Sequence, residues 1–139
     1  MTERLFLDTN VLVYADDASA GKKQRIAQDL LEDTVKRGTA TLSTQVLEEY
    51  FAIATRKLHL DAAAARRRGE LLSTLDVVEV DVPTIFNAID LHRLHDIAFR
   101  DALVVQSAAV GGCARLLTED LQHGRAYAGV TVENPFRDA

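Results

Sequence analysis

Cysteine, proline and tryptophan are scarce in this 139-residue sequence, which contains one cysteine, two prolines and no tryptophan. The single cysteine, Cys113, excludes a disulfide within the chain and a zinc or redox site built on paired cysteines. We therefore expect the protein to reside in a reducing compartment, the cytoplasm. The sequence also lacks a signal-peptide pattern and any apolar run of about 18 residues, so we expect neither export nor a membrane span.

Acidic residues outnumber basic ones, and the net charge is −5. This balance argues against general electrostatic attraction to nucleic acid. The charge is uneven, however, because residues 55–68 carry +4, from Arg56, Lys57 and the arginine run 66–68 against Asp61, which leaves −9 for the rest of the chain. This basic segment is either a solvated helix surface or a contact for RNA backbone or a protein partner.

The length and the 47% share of hydrophobic residues predict one domain over residues 1–139. Apolar runs of strand length alternate with segments of helical spacing, and we detect no hairpin signal. The predicted strands cover residues 4–7, 39–42, 77–82, 113–117 and 130–132, and the predicted helices begin near 11 and cover 22–37, 44–58, 62–75, 83–91 and 98–110. Strands separated by helices predict a three-layer α/β/α fold with a central parallel sheet of four or five strands.

Acidic side chains follow two of the predicted strands and begin or line two helices. In open α/β sheets, binding sites lie beyond the carboxyl ends of the strands, so these acids are candidates for one site. Carboxylates gathered at one edge repel each other unless a cation neutralises them, and oxygen ligands suit Mg²⁺ or Mn²⁺. The candidates are Asp8, Glu48, Glu49, Asp101, Glu119 and Asp120.

Each of these acids also has a purely structural interpretation. Asp8 suits the cap of the helix that begins near Val11, and Asp101 in a first helical turn gains from the helix dipole. Glutamates on a helix are most often solvated, although Glu49 lies nearer the apolar stripe than Glu48 does. Taken singly, these acids do not establish a site.

Five ordered segments together resemble the PIN-domain family, and more narrowly the VapC-type ribonuclease toxins of bacterial toxin–antitoxin pairs. The similarity runs from Leu5 to Phe136. Each segment alone is a weakly specific sign of the family, whereas the five segments in this order are a strongly specific one. The segments are Phe6-Leu7-Asp8-Thr9-Asn10-Val11-Leu12, Ser43-Thr44-Gln45-Val46-Leu47-Glu48-Glu49-Tyr50, Arg100-Asp101-Ala102-Leu103-Val104-Val105, Leu117-Thr118-Glu119-Asp120-Leu121 and Asn134-Pro135-Phe136.

The resemblance implies an acidic quartet that holds one or two divalent metals. Asp8 and Asp101 would be direct ligands, and Glu49 and Asp120 would act through water or complete a second metal site. Spacing from Val46-Leu47 favours Glu49 over Glu48, and the Thr-x-Asp pattern favours Asp120 over Glu119. The residues that would orient these carboxylates through hydrogen bonds are Asn10, Ser43 and Thr118.

The resemblance also implies the reaction and the partners. The expected activity is metal-dependent hydrolysis of RNA phosphodiesters by an activated water, on tRNA or another structured RNA, with Mg²⁺ or Mn²⁺ as cofactor. A cognate antitoxin and a second copy of the chain are the expected protein partners. Arg100 is the first candidate for phosphate contact, followed by Arg56 and Lys57, while the four histidines have no expected role.

Three other interpretations are weaker. A phosphatase of the haloacid-dehalogenase type needs an aspartate where Asn10 stands. A receiver domain needs a phosphoryl-accepting aspartate after its third strand, and the predicted strand 77–82 offers only Asp81. A catalytically silent PIN-like interaction module is the alternative outside enzymes, although such a module has no need of all four carboxylates.

Overall fold

A computed structural model of the chain describes residues 3–139 and contains one central sheet. The strands are β1 (Leu5–Leu7), β2 (Ala40–Ser43), β3 (Asp76–Val78), β4 (Arg115–Leu117), β5 (Ala126–Tyr127) and β6 (Val130–Glu133). They lie in the order β3-β2-β1-β4-β6-β5, and every neighbouring pair is parallel except β5 with β6. The predicted α/β class with a central parallel sheet is confirmed, with five parallel strands and one antiparallel edge strand.

In the part of the chain that the structure describes, six α-helices connect and cover these strands. They are α1 (Thr9–Ala15), α2 (Lys22–Arg37), α3 (Thr44–Arg56), α4 (Ala62–Leu72), α5 (Val82–His95) and α6 (Phe99–Val110). A short 3-10 turn, Ala18–Ala20, joins α1 to α2. Within residues 3–139, no helix has both the length and the apolar character that crossing a membrane requires.

The core forms around β1, the strand on which the site depends. Phe6 and Leu7 of β1 are fully buried, as are Leu116 and Leu117 of the neighbouring strand β4. Consecutive residues on a strand point to opposite faces, so two adjacent buried positions require cover on both faces of the sheet. The helices supply that cover, which explains the short continuous apolar runs in the sequence.

The helix termini follow their capping residues. Helix α2 ends where predicted, because Gly38 adopts a left-handed conformation with φ of 69°. The Ser43 hydroxyl accepts a hydrogen bond of 3.3 Å from the N–H of Val46 at the start of α3. Asp61 caps α4, which ends at Leu72, three residues before the predicted end at 75.

The predicted strand 77–82 is wrong at its C-terminal end. β3 stops at Val78, and the Asp81 carboxylate accepts hydrogen bonds from the N–H and the hydroxyl of Thr84, at 3.0 and 2.6 Å. Asp81 is therefore the N-cap of α5, and Val82 is its first residue. The alternating apolar pattern did not distinguish a strand residue from a first-turn helix residue.

A hairpin forms one edge of the sheet, although no hairpin signal is detected in the sequence. β5 and β6 form an antiparallel pair joined by Ala128 and Gly129, whose φ angles are 51° and 79°. Positive φ at both central residues is the geometry of a two-residue hairpin turn, which usually favours asparagine or aspartate at the first position. Alanine stands there instead, so the sequence carries little of the usual signal.

Candidate metal centre

The candidate site begins at the carboxyl ends of two adjacent strands. β1 and β4 are parallel, with Leu7 opposite Leu117, so the residues that follow them lie at the same edge of the sheet. Asp8 follows β1 and Thr118 follows β4, and both are buried. The topology thus brings together two predicted site residues that are 110 positions apart in sequence.

Thr118 ties Asp8 to the loop that carries Asp120. Its hydroxyl donates to Asp8 Oδ2 at 2.8 Å and accepts from the Asp120 N–H at 3.1 Å. The Asn10 amide donates both to the Thr118 hydroxyl, at 3.1 Å, and to Asp120 Oδ2, at 3.2 Å. Thr118 and Asn10 therefore orient these two carboxylates.

Three of the predicted acids are close enough to share an ion. Asp8, Asp101 and Asp120 each offer a carboxylate oxygen, and these oxygens all lie within 4.8 Å of one another. The Asn10 Oδ1 atom is buried and lacks a hydrogen-bond partner among the described residues, so it can accept a hydrogen bond from bound water. An all-oxygen donor set of this kind fits a hard divalent cation.

Glu49 lies beside these three aspartates without joining the 4.8 Å group. Its Oε1 atom accepts a hydrogen bond of 2.7 Å from the Thr9 hydroxyl, which places α3 against the start of α1. Glu48 points away and is exposed. Of the two glutamates, Glu49 is thus the one that faces the site.

Arg100 occupies the centre of the acidic cluster. Its guanidinium donates to Asp8 through Nη2, at 2.7 Å, and Nη1, at 3.0 Å. It also reaches Glu49 Oε1 at 2.6 Å, Asp101 Oδ1 at 3.0 Å and Asp120 Oδ2 at 3.5 Å. The sequence suggested a phosphate contact for Arg100, whereas in this structure its partners are the four predicted acids.

Burial and the neighbouring charges shift the pKa values in this cluster. Burial raises the pKa of Asp101 despite its ion pair with Arg100. Burial and the adjacent Asp8 raise the pKa of Asp120. Burial also acts to raise the pKa of Glu49, but hydrogen bonds from Arg100 and Thr9 outweigh it and the pKa falls. A cation that displaced Arg100 would therefore favour the charged forms of Asp101 and Asp120.

Two predicted or alternative site residues have other tasks. Ser43 caps α3 and hydrogen-bonds a backbone N–H, so it supports the site by fixing the helix that carries Glu49. Glu119 accepts hydrogen bonds from the Tyr14 hydroxyl and, at 3.0 Å, from Lys23. Asp120 rather than Glu119 thus reaches the aspartate group.

Sequence reasoning missed two polar residues that complete the cluster. The Thr9 hydroxyl lies between Glu49 and Arg100, at 2.7 and 3.2 Å. The Gln45 amide donates to the backbone carbonyl of Arg100 at 3.2 Å. Thr9 directly follows Asp8, and Gln45 lies four residues before Glu49 and so on the same helix face, and these two spacings were the signal that could have found them.

A cleft opens from the acids toward the end of α3. Glu49 and Asp120 line the cleft together with Arg100. The exposed side chains of Arg56 and Lys57 line the cleft as well. Its apolar wall is formed by Val13, Tyr14, Ala52 and Ile53. The cleft is open to solvent and has a volume of about 520 Å³, within the usual range for a ligand site.

Comparison with known proteins gives a family match and several similar folds. A family model described as PIN domain matches residues 5–129. No curated protein sequence matches the chain significantly.

Among solved structures, the Sarcin-Ricin loop cleaving toxin VapC20 from Mycobacterium tuberculosis is 21% identical, with a TM-score of 0.67 over 81% of this chain and 86% of that one. VapBC2 from Rickettsia felis, bound to a promoter DNA fragment, is 20% identical, with a TM-score of 0.67 over 94% and 97%. DNA-bound VapBC from Salmonella typhimurium is 15% identical, with a TM-score of 0.70 over 96% and 99%. At these identities the likeness establishes a shared fold.

Proposed function

Because the chain belongs to the PIN-domain family, matched over residues 5–129, we propose that it is a metal-dependent endoribonuclease of the VapC toxin kind. It cuts phosphodiester bonds of tRNA or another structured RNA and is inhibited by a cognate antitoxin. The nuclease occupies the single domain of residues 1–139 and acts in the cytoplasm. Mg²⁺ or Mn²⁺ is the cofactor.

One observation carries this proposal. Asp8, Asp101 and Asp120 come from three distant parts of the chain and place carboxylate oxygens within 4.8 Å of one another. Arg100 supplies one positive charge to a cluster of four carboxylates, so the cluster stays electrostatically unfavourable until a further cation binds. A divalent ion bound there supplies a Lewis acid that activates water and offsets the negative charge developing on the phosphoryl group.

The residues around the ion have distinct tasks. Asp8, Asp101 and Asp120 hold it, and Thr118 and Asn10 keep the first and last of these in position through the hydrogen bonds described above. Glu49, fixed by the Thr9 hydroxyl at 2.7 Å, completes the acidic quartet at its α3 side. The burial of Asp8, with a side chain only 1% exposed, limits competition from bulk water.

The cleft supports RNA as the substrate. Arg56 and Lys57 are exposed cations that line the cleft, so they are suited to contact phosphates of the RNA backbone. Because VapC20 is described as cleaving the Sarcin-Ricin loop, structured RNA is the first substrate class to test.

The protein partners follow from the same likeness. The VapBC structures from Rickettsia felis and Salmonella typhimurium, together with a toxin–antitoxin complex from Klebsiella pneumoniae, support a dedicated antitoxin for this chain. A homodimer is supported by apolar side chains on α5 that are exposed in the single chain, among them Val82, Phe86 and Leu94.

The proposal is tested with purified wild-type protein and the variants Asp8→Asn and Asp101→Asn. Each is incubated with total cellular RNA in Mg²⁺, in Mn²⁺ and in EDTA, and the new 5′ ends are mapped by sequencing. We expect discrete metal-dependent cuts by the wild type. Each variant should cut at least about 10–100-fold more slowly, because loss of one carboxylate weakens the metal site.

Asp29→Asn is the matched control. Asp29 is exposed on α2, so this variant undergoes the same change of side chain and charge without touching the cluster or the α5 side chains. It should cut as fast as the wild type. Cutting in EDTA, or equal cutting by Asp8→Asn, contradicts the proposal, and a wild-type protein that cuts no RNA supports a silent interaction module instead.

A further inference from the structure

The Asp8 carboxylate accepts as many hydrogen bonds as it can hold. Oδ1 accepts from the Thr9 N–H and from Arg100 Nη2, both at 2.7 Å. Oδ2 accepts from the Thr118 hydroxyl at 2.8 Å and from Arg100 Nη1 at 3.0 Å. A carboxylate has about four lone-pair sites, so all of them are in use. A metal ion that binds Asp8 has to displace one of these donors.

Arg100 is the donor that can leave. The Thr9 N–H belongs to the backbone at the start of α1, and the Thr118 hydroxyl is buried and also bonded to Asn10 and to the Asp120 N–H. Arg100, by contrast, reaches Asp8 through a long side chain that is 33% exposed. Its rotation breaks no secondary structure and moves toward the open cleft that it lines.

The charges favour the exchange. Four carboxylates contact one guanidinium, which leaves the group with three uncompensated negative charges. A divalent cation compensates more of that charge than Arg100 does. Glu49 lies outside the 4.8 Å aspartate group, so it can keep its hydrogen bonds with Arg100 when the aspartates bind the ion.

We propose that Arg100 is a built-in counter-cation, which holds Asp8 in the metal-free protein, is displaced by the divalent ion, and thereby lowers the affinity for metal. The proposal rests on the proposed function, in that the aspartates bind such an ion. Arg100 is in this sense a positioning residue, since it acts on the reaction through the carboxylates.

The test measures metal affinity without measuring RNA cleavage. Mn²⁺ is titrated into metal-free wild type, Arg100→Gln and Arg68→Gln, and the free ion is quantified by its electron paramagnetic resonance signal. Arg68 is the matched control, because it also pairs with a carboxylate, Asp16 at 2.9 Å, but lies outside the cluster. Both substitutions change the net charge equally.

We expect Arg100→Gln to bind Mn²⁺ at least about 10-fold more tightly than the wild type, the factor that corresponds to one charge-assisted hydrogen bond. Arg68→Gln should bind Mn²⁺ as the wild type does. Unchanged or weaker binding by Arg100→Gln overturns the inference, as does an equal gain in Arg68→Gln, because the effect would then be one of overall charge.

A second measurement uses the wild-type protein, in case Arg100→Gln does not fold. The Nε–H of Arg100 donates to Glu49 at 3.1 Å and gives a side-chain nuclear magnetic resonance signal, which is assigned by its loss in Arg100→Lys. It should shift on addition of Mg²⁺ in the wild type and not in Asp8→Asn, because the same guanidinium loses its two hydrogen bonds with Asp8 even where the Nε–H keeps its bond with Glu49. A signal that does not move while Mg²⁺ binds overturns the inference.

The outcomes separate this inference from the proposed function. If Mn²⁺ binding depends on Asp8 and Arg100→Gln does not change it, only the inference about Arg100 is contradicted. If no form of the protein binds Mn²⁺, the proposed metal-dependent nuclease activity is contradicted as well.

Discussion

At the scale of single residues, Asp8 combines a local and a long-range role. Its carboxylate accepts from the Thr9 N–H at the start of α1, as a capping residue does, and from the Thr118 hydroxyl across the sheet edge. The two roles use different oxygen atoms, so one does not exclude the other. An aspartate that is 1% exposed requires such donors, because a buried carboxylate without them is costly.

Thr118 gives the sharpest prediction at this scale. Thr118→Val keeps the shape of the side chain and removes the hydroxyl that donates to Asp8 and accepts from Asn10 and the Asp120 N–H. We expect Mn²⁺ binding to weaken about 10–100-fold, as is found when groups that orient metal ligands are lost. Calorimetric titration measures the change.

The control for this variant is Thr131→Val. Thr131 is exposed on β6, and its backbone N–H rather than its hydroxyl makes the hydrogen bond found there. Its substitution should leave Mn²⁺ affinity unaltered. Equal affinities for Thr118→Val and the wild type would mean that Asp8 and Asp120 keep their positions without the hydroxyl.

At the scale of secondary-structure elements, close approach of α6 to the sheet depends on Gly111, which follows that helix. A Cβ atom there would lie 2.9 Å from Val78 Cγ2 and 3.3 Å from Thr41 Cγ2. Gly111→Ala should therefore lower the free energy of unfolding by about 1–3 kcal/mol, the usual cost of overpacking. Urea denaturation followed by circular dichroism measures it.

The same substitution at Gly69 should have the opposite sign. Gly69 lies within α4, and a Cβ atom there meets nothing within 4 Å. Gly69→Ala should raise the free energy of unfolding by about 0.5–1 kcal/mol, because alanine loses less backbone entropy in a helix. If both variants are destabilised, space at the glycine is not the deciding factor.

Contacts between helices also explain part of the basic segment 55–68. Arg68 forms an ion pair with Asp16 at 2.9 Å, and Asp16 also accepts from the Tyr50 hydroxyl at 2.6 Å. This cluster joins α1, α3 and α4. Arg66 pairs with Glu70 on the same helix, so the segment is divided between structural ion pairs and the cleft lined by Arg56 and Lys57.

At the scale of the whole molecule, metal binding should be coupled to folding. The aspartates converge only in the folded chain, so an ion that binds them stabilises the folded state relative to the unfolded one. At a Mn²⁺ concentration 100 times the Kd, the gain should be about 2.7 kcal/mol. Thermal denaturation with Mn²⁺ and with EDTA measures this as a rise in Tm.

Asp8→Asn separates this coupling from general salt effects. It should show no rise in Tm with Mn²⁺, whereas Asp29→Asn should show the same rise as the wild type. A rise of equal size in Asp8→Asn would place the stabilising ion elsewhere on the protein.

The sequence by itself determined the fold class, the family and the ends of some helices, among them α2. Apolar periodicity identifies the buried faces of helices and strands, and capping residues such as Gly38 and Ser43 act over a few neighbouring positions. Both signals are local, so both can be recognised in the sequence. The antiparallel edge strand was missed because its turn has alanine where the usual signal residue stands.

Only the tertiary structure decided how the acids are arranged. The sequence favoured Glu49 over Glu48 and Asp120 over Glu119. Helix rotation and loop path in the folded chain then bring Asp8, Asp101 and Asp120 within 4.8 Å of one another and leave Glu49 beside them. The position of Arg100 among the acids could not be predicted from the sequence. A long charged side chain adopts the position in which its electrostatic interactions with the surrounding charges are most favourable. Those charges belong to groups far apart in the chain and come together only after folding.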